Sequence, residues 1–132
     1  MLILCLGFLI NPIQALSQNC QSPDSLITSN ISNFTATANW VSGVNVDHYR
    51  LRYKQLGSSI WNFKHNLSSL SYDFDALVKN SQYIWQVKAF CSTGNSFNSS
   101  WSVLDTFTTT NYALDCHGDI GGTAFTDICG NC

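Results

Sequence analysis

The stretch QYIWQVKAFC, residues 82–91, places Tyr83, Trp85, Val87, Ala89 and Cys91 at alternate positions. A helix turns once in about 3.6 residues and cannot gather that set on one side, whereas a strand can, because successive side chains point to opposite faces. The same period of two recurs twice upstream. In NFTATANW, Phe34, Ala36, Ala38 and Trp40 fall on one face and Thr35, Thr37 and Asn39 on the other. In DHYRLRYK, Tyr49, Leu51 and Tyr53 alternate with His48, Arg50, Arg52 and Lys54. Each pattern describes a strand with one face on a core and the other in water. Shorter strands are expected over residues 25–31, 60–64, 70–74 and 102–108, separated by turn-forming Ser42-Gly43, Leu56-Gly57-Ser58-Ser59, Lys79-Asn80-Ser81 and residues 92–100. Seven short strands over some ninety residues predict an all-β, seven-stranded antiparallel sandwich. No segment carries a helical apolar stripe.

Composition agrees with an exported β module. Of 132 residues 45% are hydrophobic, enough for a core, and only 11% are charged, with no glutamate. Ser, Thr and Asn supply the polarity instead, and these favour turns and strand faces over helix interiors. The net charge is −2 and the six Lys and Arg are scattered along the chain. Such a distribution excludes the basic footprint of a nucleic-acid binder, and no nucleic-acid partner is expected.

The first residues, MLILCLGFLINPIQALSQ, hold an apolar run over residues 2–10 of signal-peptide length, too short to span a bilayer. Small residues Ala15 and Ser17 predict cleavage after Ser17, so residues 1–17 are expected to be a signal peptide, although Lys and Arg are missing before the run. Secretion or cell-surface display follows as the expected location. Loss of Cys5 with the signal would leave Cys20, Cys91, Cys116, Cys129 and Cys132, an odd number, which in an oxidising compartment predicts a partner beyond Cys132. Sequons begin at Asn30, Asn33, Asn66 and Asn98.

Taken together, residues 20–110 resemble a fibronectin type III domain. The residues that carry the resemblance are Trp40, the run Tyr49-Arg50-Leu51-Arg52-Tyr53, the pair Leu77 and Tyr83 spaced six apart, and Phe107-Thr108-Thr109. The chain departs from the family where Lys79 and Ser81 replace its usual proline and threonine, which should loosen that turn without changing the fold. The resemblance implies a core built on Trp40, Tyr49, Leu51, Tyr53, Leu77, Tyr83, Trp85, Val87 and Phe107. It also implies a tyrosine corner, in which the Tyr83 hydroxyl bonds back to the chain. In this topology the start of the first strand and the end of the sixth share a pole, and the resemblance therefore implies a Cys20–Cys91 disulfide. The alternative leaves both cysteines free. An antibody-like pairing fails because no cysteine lies near Trp40.

Candidate chemistry is sparse. His48 is expected on a polar strand face and His65 in or near a turn, with no serine or cysteine in a nucleophile setting beside them. Asp73 and Asp75 lie two apart, but a small sandwich gives a glycosidase pair no cleft, and both read as solvated carboxylates. Trp61, Phe97 and Trp101 are the candidates for ligand contact, since exposed aromatics stack on sugar rings or anchor a partner. Ser100-Trp101-Ser102 resembles half of the Trp-Ser-x-Trp-Ser signature of cytokine receptors, but Asn98 stands where the other tryptophan would be.

Residues 111–132 form a Cys-, Asp- and Gly-rich tail that resembles a linker repeat of secreted bacterial proteins. Three readings of it stay open. One is a disulfide-linked spacer; the second adds calcium through Asp115, Asp119 and Asp127, although EF-hand spacing is absent; the third is zinc on Cys116, His117, Cys129 and Cys132. No other metal or cofactor is expected. The three expected units are thus residues 1–17, 18–110 and 111–132. The functional expectation is a non-catalytic binding, adhesion or spacer module of a larger secreted or cell-surface protein, with a protein or polysaccharide partner. The competing expectation is an accessory domain of a glycoside hydrolase or peptidase whose catalytic domain lies beyond residue 132. A receptor ectodomain is the third class.

Overall fold

The computed structural model describes residues 19–112. The expected signal peptide and the Cys-rich tail, with its calcium and zinc candidates, lie outside the described residues. Seven strands follow in order: β1 (Asp24–Ser29), β2 (Ala36–Val41), β3 (His48–Gln55), β4 (Asn62–Leu67), β5 (Ser71–Phe74), β6 (Gln82–Phe90) and β7 (Asp105–Thr108). They make a three-stranded sheet, β1-β2-β5, facing a four-stranded one, β4-β3-β6-β7, and every pairing is antiparallel. The expected all-β sandwich is the observed fold.

The core is the sum of the alternating faces. Ala36, Ala38 and Trp40 of β2 meet Tyr49 and Leu51 of β3 and Tyr83, Trp85, Val87 and Ala89 of β6, with Phe74, Leu77 and Phe107 closing the interior. Every core residue implied by the fibronectin resemblance is buried except Tyr53, which packs part-buried against the cluster with its ring 4.9 Å from that of Phe74. Trp85 is fully buried, and its indole N–H therefore needs an acceptor inside. It donates to Thr28 Oγ1 at 2.9 Å and to Asp105 Oδ2 at 3.0 Å, and Thr28 Oγ1 donates to the same carboxylate oxygen. This triad joins β1 of one sheet to β6 and β7 of the other.

The tyrosine corner is present: the Val78 N–H donates to Tyr83 Oη at 3.0 Å. Buried Thr109 braces the turn that lacks its proline. Its Oγ1 donates to Val78 O at 2.6 Å and accepts from the Ser81 N–H at 3.0 Å. Cys20 and Cys91 are joined by a disulfide, with Cα atoms 5.7 Å apart and a separation of 71 positions in sequence. Closing a loop of that length stabilises the fold by about 4 kcal/mol in the chain-entropy model.

Several local expectations are corrected. Phe34 is 48% exposed, not on the core face. Ser32 Oγ accepts from the N–H groups of Phe34 and Thr35, and this turn delays the strand to Ala36. Asn33 turns inward in its place. Its Nδ2 donates to Tyr112 O at 2.8 Å, and its Oδ1 accepts from Thr110 Oγ1 and the Tyr112 N–H at 2.7 and 3.1 Å. Asn33 is 4% exposed and latches the chain leaving β7 to the β1–β2 loop, so a glycan on that sequon is incompatible with this arrangement. The first strand ends at Ser29 because Asn30 adopts φ 48°.

Two of the edge strands, β1 and β4, each hold one extra residue against their partners, with Ser25 (φ 49°) and Asn66 (φ 55°) in the left-handed region. The second bulge extends β4 to Leu67, so His65 lies within a strand instead of near a turn. Bulged edges resist pairing with foreign strands. β7 begins only at Asp105; the preceding residues follow β6 by a different device, described next.

Candidate functional site

The outer face of the four-stranded sheet is where the chain gathers its cations. Between β6 and β7, residues 97–102 run beside β6 using serine hydroxyls as well as backbone. Ser99 N donates to Ala89 O while Ser99 Oγ accepts from the Ala89 N–H, at 2.9 and 3.0 Å. Ser102 does the same with Val87, again at 2.9 and 3.0 Å. Both serines are buried, and Trp101 between them is half-buried against the sheet.

There Trp101 meets Arg52. The guanidinium carbon of Arg52 lies 4.3 Å from the Trp101 ring centre and 4.4 Å from that of Trp61, so the charge is held by two indoles. Arg52 Nε and Nη2 donate to Gln86 Oε1 at 3.0 and 2.6 Å, and Gln86 Nε2 donates to Ser102 O at 2.7 Å. Lys54 Nζ lies 4.9 Å from the Trp61 ring centre and Lys88 Nζ 5.3 Å from that of Trp101. Desolvation by this packing lowers the Arg52 pKa from its ordinary value, yet a guanidinium stays charged at any physiological pH. Phe63 of β4, 45% exposed, stands with its ring centre 6.4 Å from that of Trp101.

Farther along β3, Arg50 lies over the Phe90 ring at 4.9 Å and His48 stacks on the same ring at 4.6 Å. Phe90 is therefore buried on the outer side of the sheet, and His48, expected on a wet face, is only 12% exposed in its side chain with Nδ1 2.8 Å from Asp47 Oδ2. Arg50 Nε is buried without a hydrogen-bond partner.

The expected ligand contacts divide. Trp61 and Trp101 come together around Arg52, half-buried instead of open. Phe97, also part-buried, packs against the core cluster apart from them, and its carbonyl accepts from the Cys91 N–H at 2.9 Å. Asp73 accepts from Thr37 Oγ1 at 2.8 Å, and β5 stops at Phe74, so Asp73 and Asp75 do not share a strand face. Arg52, Lys54, Gln86, Lys88 and Phe63 were not singled out as site residues by sequence reasoning; for the first four the only signal was alternation with the core positions of β3 and β6, and Phe63 of β4 had none. Among the described residues no three His, Cys, Asp or Glu side chains form a metal-ligand set, and no helix is long and apolar enough to cross a membrane. A polar groove of about 420 Å³ lies at the disulfide pole, lined by Cys20, Gln21, Asp24, Ser42, Gly43 and Ser100 among others, without a nucleophile–base pair.

Solved structures share this architecture. One, described as a myokine, matches with a TM-score of 0.62 and 18% identity, covering 70% of this chain and all of its own. A computer-based redesign of a β-sandwich protein matches with a TM-score of 0.59 and 22% identity, covering 68% of this chain and 95% of its own. The fold is a fibronectin type III-like β-sandwich. No family model matches the chain, and no curated protein matches its sequence.

Proposed function

We propose that this chain is a non-catalytic extracellular binding module, working by adhesion or docking as part of a larger secreted or cell-surface protein. The observation that carries the reading is the combination of a disulfide-closed sandwich with a sheet face rich in aromatic and cationic side chains. A disulfide that spans most of the domain fits an oxidising compartment. The face offers stacking surface and charge but no activated nucleophile, so it suits recognition better than bond breaking. Purified oxidised protein should bind an immobilised extracellular polymer and show no turnover on panels of chromogenic glycosides, esters and peptides. Turnover that survives repurification and is lost on substituting His48 or Asp73 would overturn the reading.

A further inference from the structure

Charge in this molecule is sorted by strand. Arg50, Arg52 and Lys54 of β3 and Lys88 of β6, four of the chain's six Lys and Arg, share the outer face of the four-stranded sheet. Lys64 of β4 instead lies opposite core-facing Leu51 and turns to the Tyr72 ring of β5. β3, β4 and β6 contain no Asp or Glu. The strand carboxylates of the three-stranded sheet, Asp24 and Asp73, have no cation on their own strands. A chain of net charge −2, with basic residues scattered in sequence, thus folds into a module with one positive face.

The register sharpens the point. Arg50 lies directly opposite Lys88 across the β3–β6 ladder, and like charges so placed oppose pairing. No carboxylate on these strands relieves them. The aromatic rings beneath partly offset the repulsion through cation–π contact, and hydrogen bonds hold the ammonium groups in place: Lys54 Nζ donates to Ser58 O at 2.7 Å and Lys88 Nζ to Asn98 Oδ1 at 3.1 Å. Each ammonium keeps further N–H donors for a ligand. Beside them Phe63 presents an open ring.

We infer that this face binds an anionic polysaccharide, one bearing uronate or sulfate groups, deepening the binding-module reading on which the inference rests. The anionic groups would meet Arg50, Lys54 and Lys88, while the apolar side of a sugar ring stacks on Phe63 beside Trp101. Charge complementarity selects the sign of the ligand. The oxidising compartment favours an extracellular polymer over a nucleic acid, and the bulge on edge strand β4 disfavours strand addition by an acidic peptide.

The test is titration of the oxidised chain with dextran sulfate, polygalacturonate, uncharged dextran, poly-glutamate and single-stranded DNA. Binding is expected for the first two, weakening as salt shortens the screening length. Lys54→Gln and Lys88→Gln should each weaken it about two- to fivefold, the range of exposed charge pairs. Phe63→Ser should weaken it further, and Lys79→Gln should change nothing; circular dichroism confirms that each variant is folded. Equal binding to uncharged dextran overturns the inference, as does poly-glutamate or DNA binding as tightly as the polysaccharides with no effect of Phe63→Ser. Failure to bind any of these polymers also overturns it, while binding to another extracellular ligand in that event leaves the broader module reading standing.

Discussion

Replacing Asp105 with alanine probes the link between the two sheets. The carboxylate accepts from the Trp85 indole and from Thr28, so the substitution removes two hydrogen bonds to an ionised acceptor in a part-buried site. Hydrogen bonds to charged groups contribute about 1.5–3 kcal/mol. Thr28 Oγ1 stays within 2.9 Å of Trp85 Nε1 and keeps the buried N–H satisfied, which limits the loss. A destabilisation of about 2 kcal/mol is expected, and for a domain of this size it lowers the Tm by roughly 8–16 °C. Thermal and urea unfolding at neutral pH, with the disulfide intact, measures it. A double-mutant cycle with Trp85→Phe isolates the bond itself, since the phenylalanine variant has no N–H to satisfy. Coupling of about 1–2 kcal/mol is expected between the two positions. A loss below about 0.5 kcal/mol for Asp105→Ala, or additive effects in the cycle, would refute the bridge.

Two further outcomes follow from the same packing. Asn33→Ala removes three hydrogen bonds to Thr110 and Tyr112; a loss of about 2–3 kcal/mol is expected, with faster amide exchange at Tyr112, and unchanged exchange there would contradict the latch. Burial is the main cause that raises the Tyr53 phenol above its ordinary 10.0, so the unfolded chain ionises first and the contribution of Tyr53 to stability, complete below pH 10, is lost as pH rises through the folded value. Tyr53→Phe should therefore flatten the fall in urea midpoint above pH 10, and an identical alkaline slope in the two proteins would contradict it.

The strands that were legible in the sequence are those whose two faces differ in polarity. β6 and β3 alternate so strictly that their buried sets could be written down before the structure. Legibility ended where a side chain replaced backbone. Ser32 caps a turn and exchanges the expected Phe34 for Asn33, and Ser99 and Ser102 take ladder positions beside β6, which cuts β7 short. Phe97 looked like an open loop aromatic because nothing local reports that its carbonyl is tied to Cys91. The cationic face was hidden for a different reason. Arg52 and Gln86, or Arg50 and Lys88, are more than thirty residues apart, and only the β3–β6 register makes them neighbours. Read one strand at a time, the same residues are merely a polar side.

The pairing of Cys20 with Cys91 joins the two ends of the sandwich's longest covalent loop, and non-reducing peptide mapping of the native protein tests it directly. The expected result is one cross-linked species holding both residues, resistant to alkylation until reduced. Alkylation of both thiols in the folded, unreduced protein would contradict it.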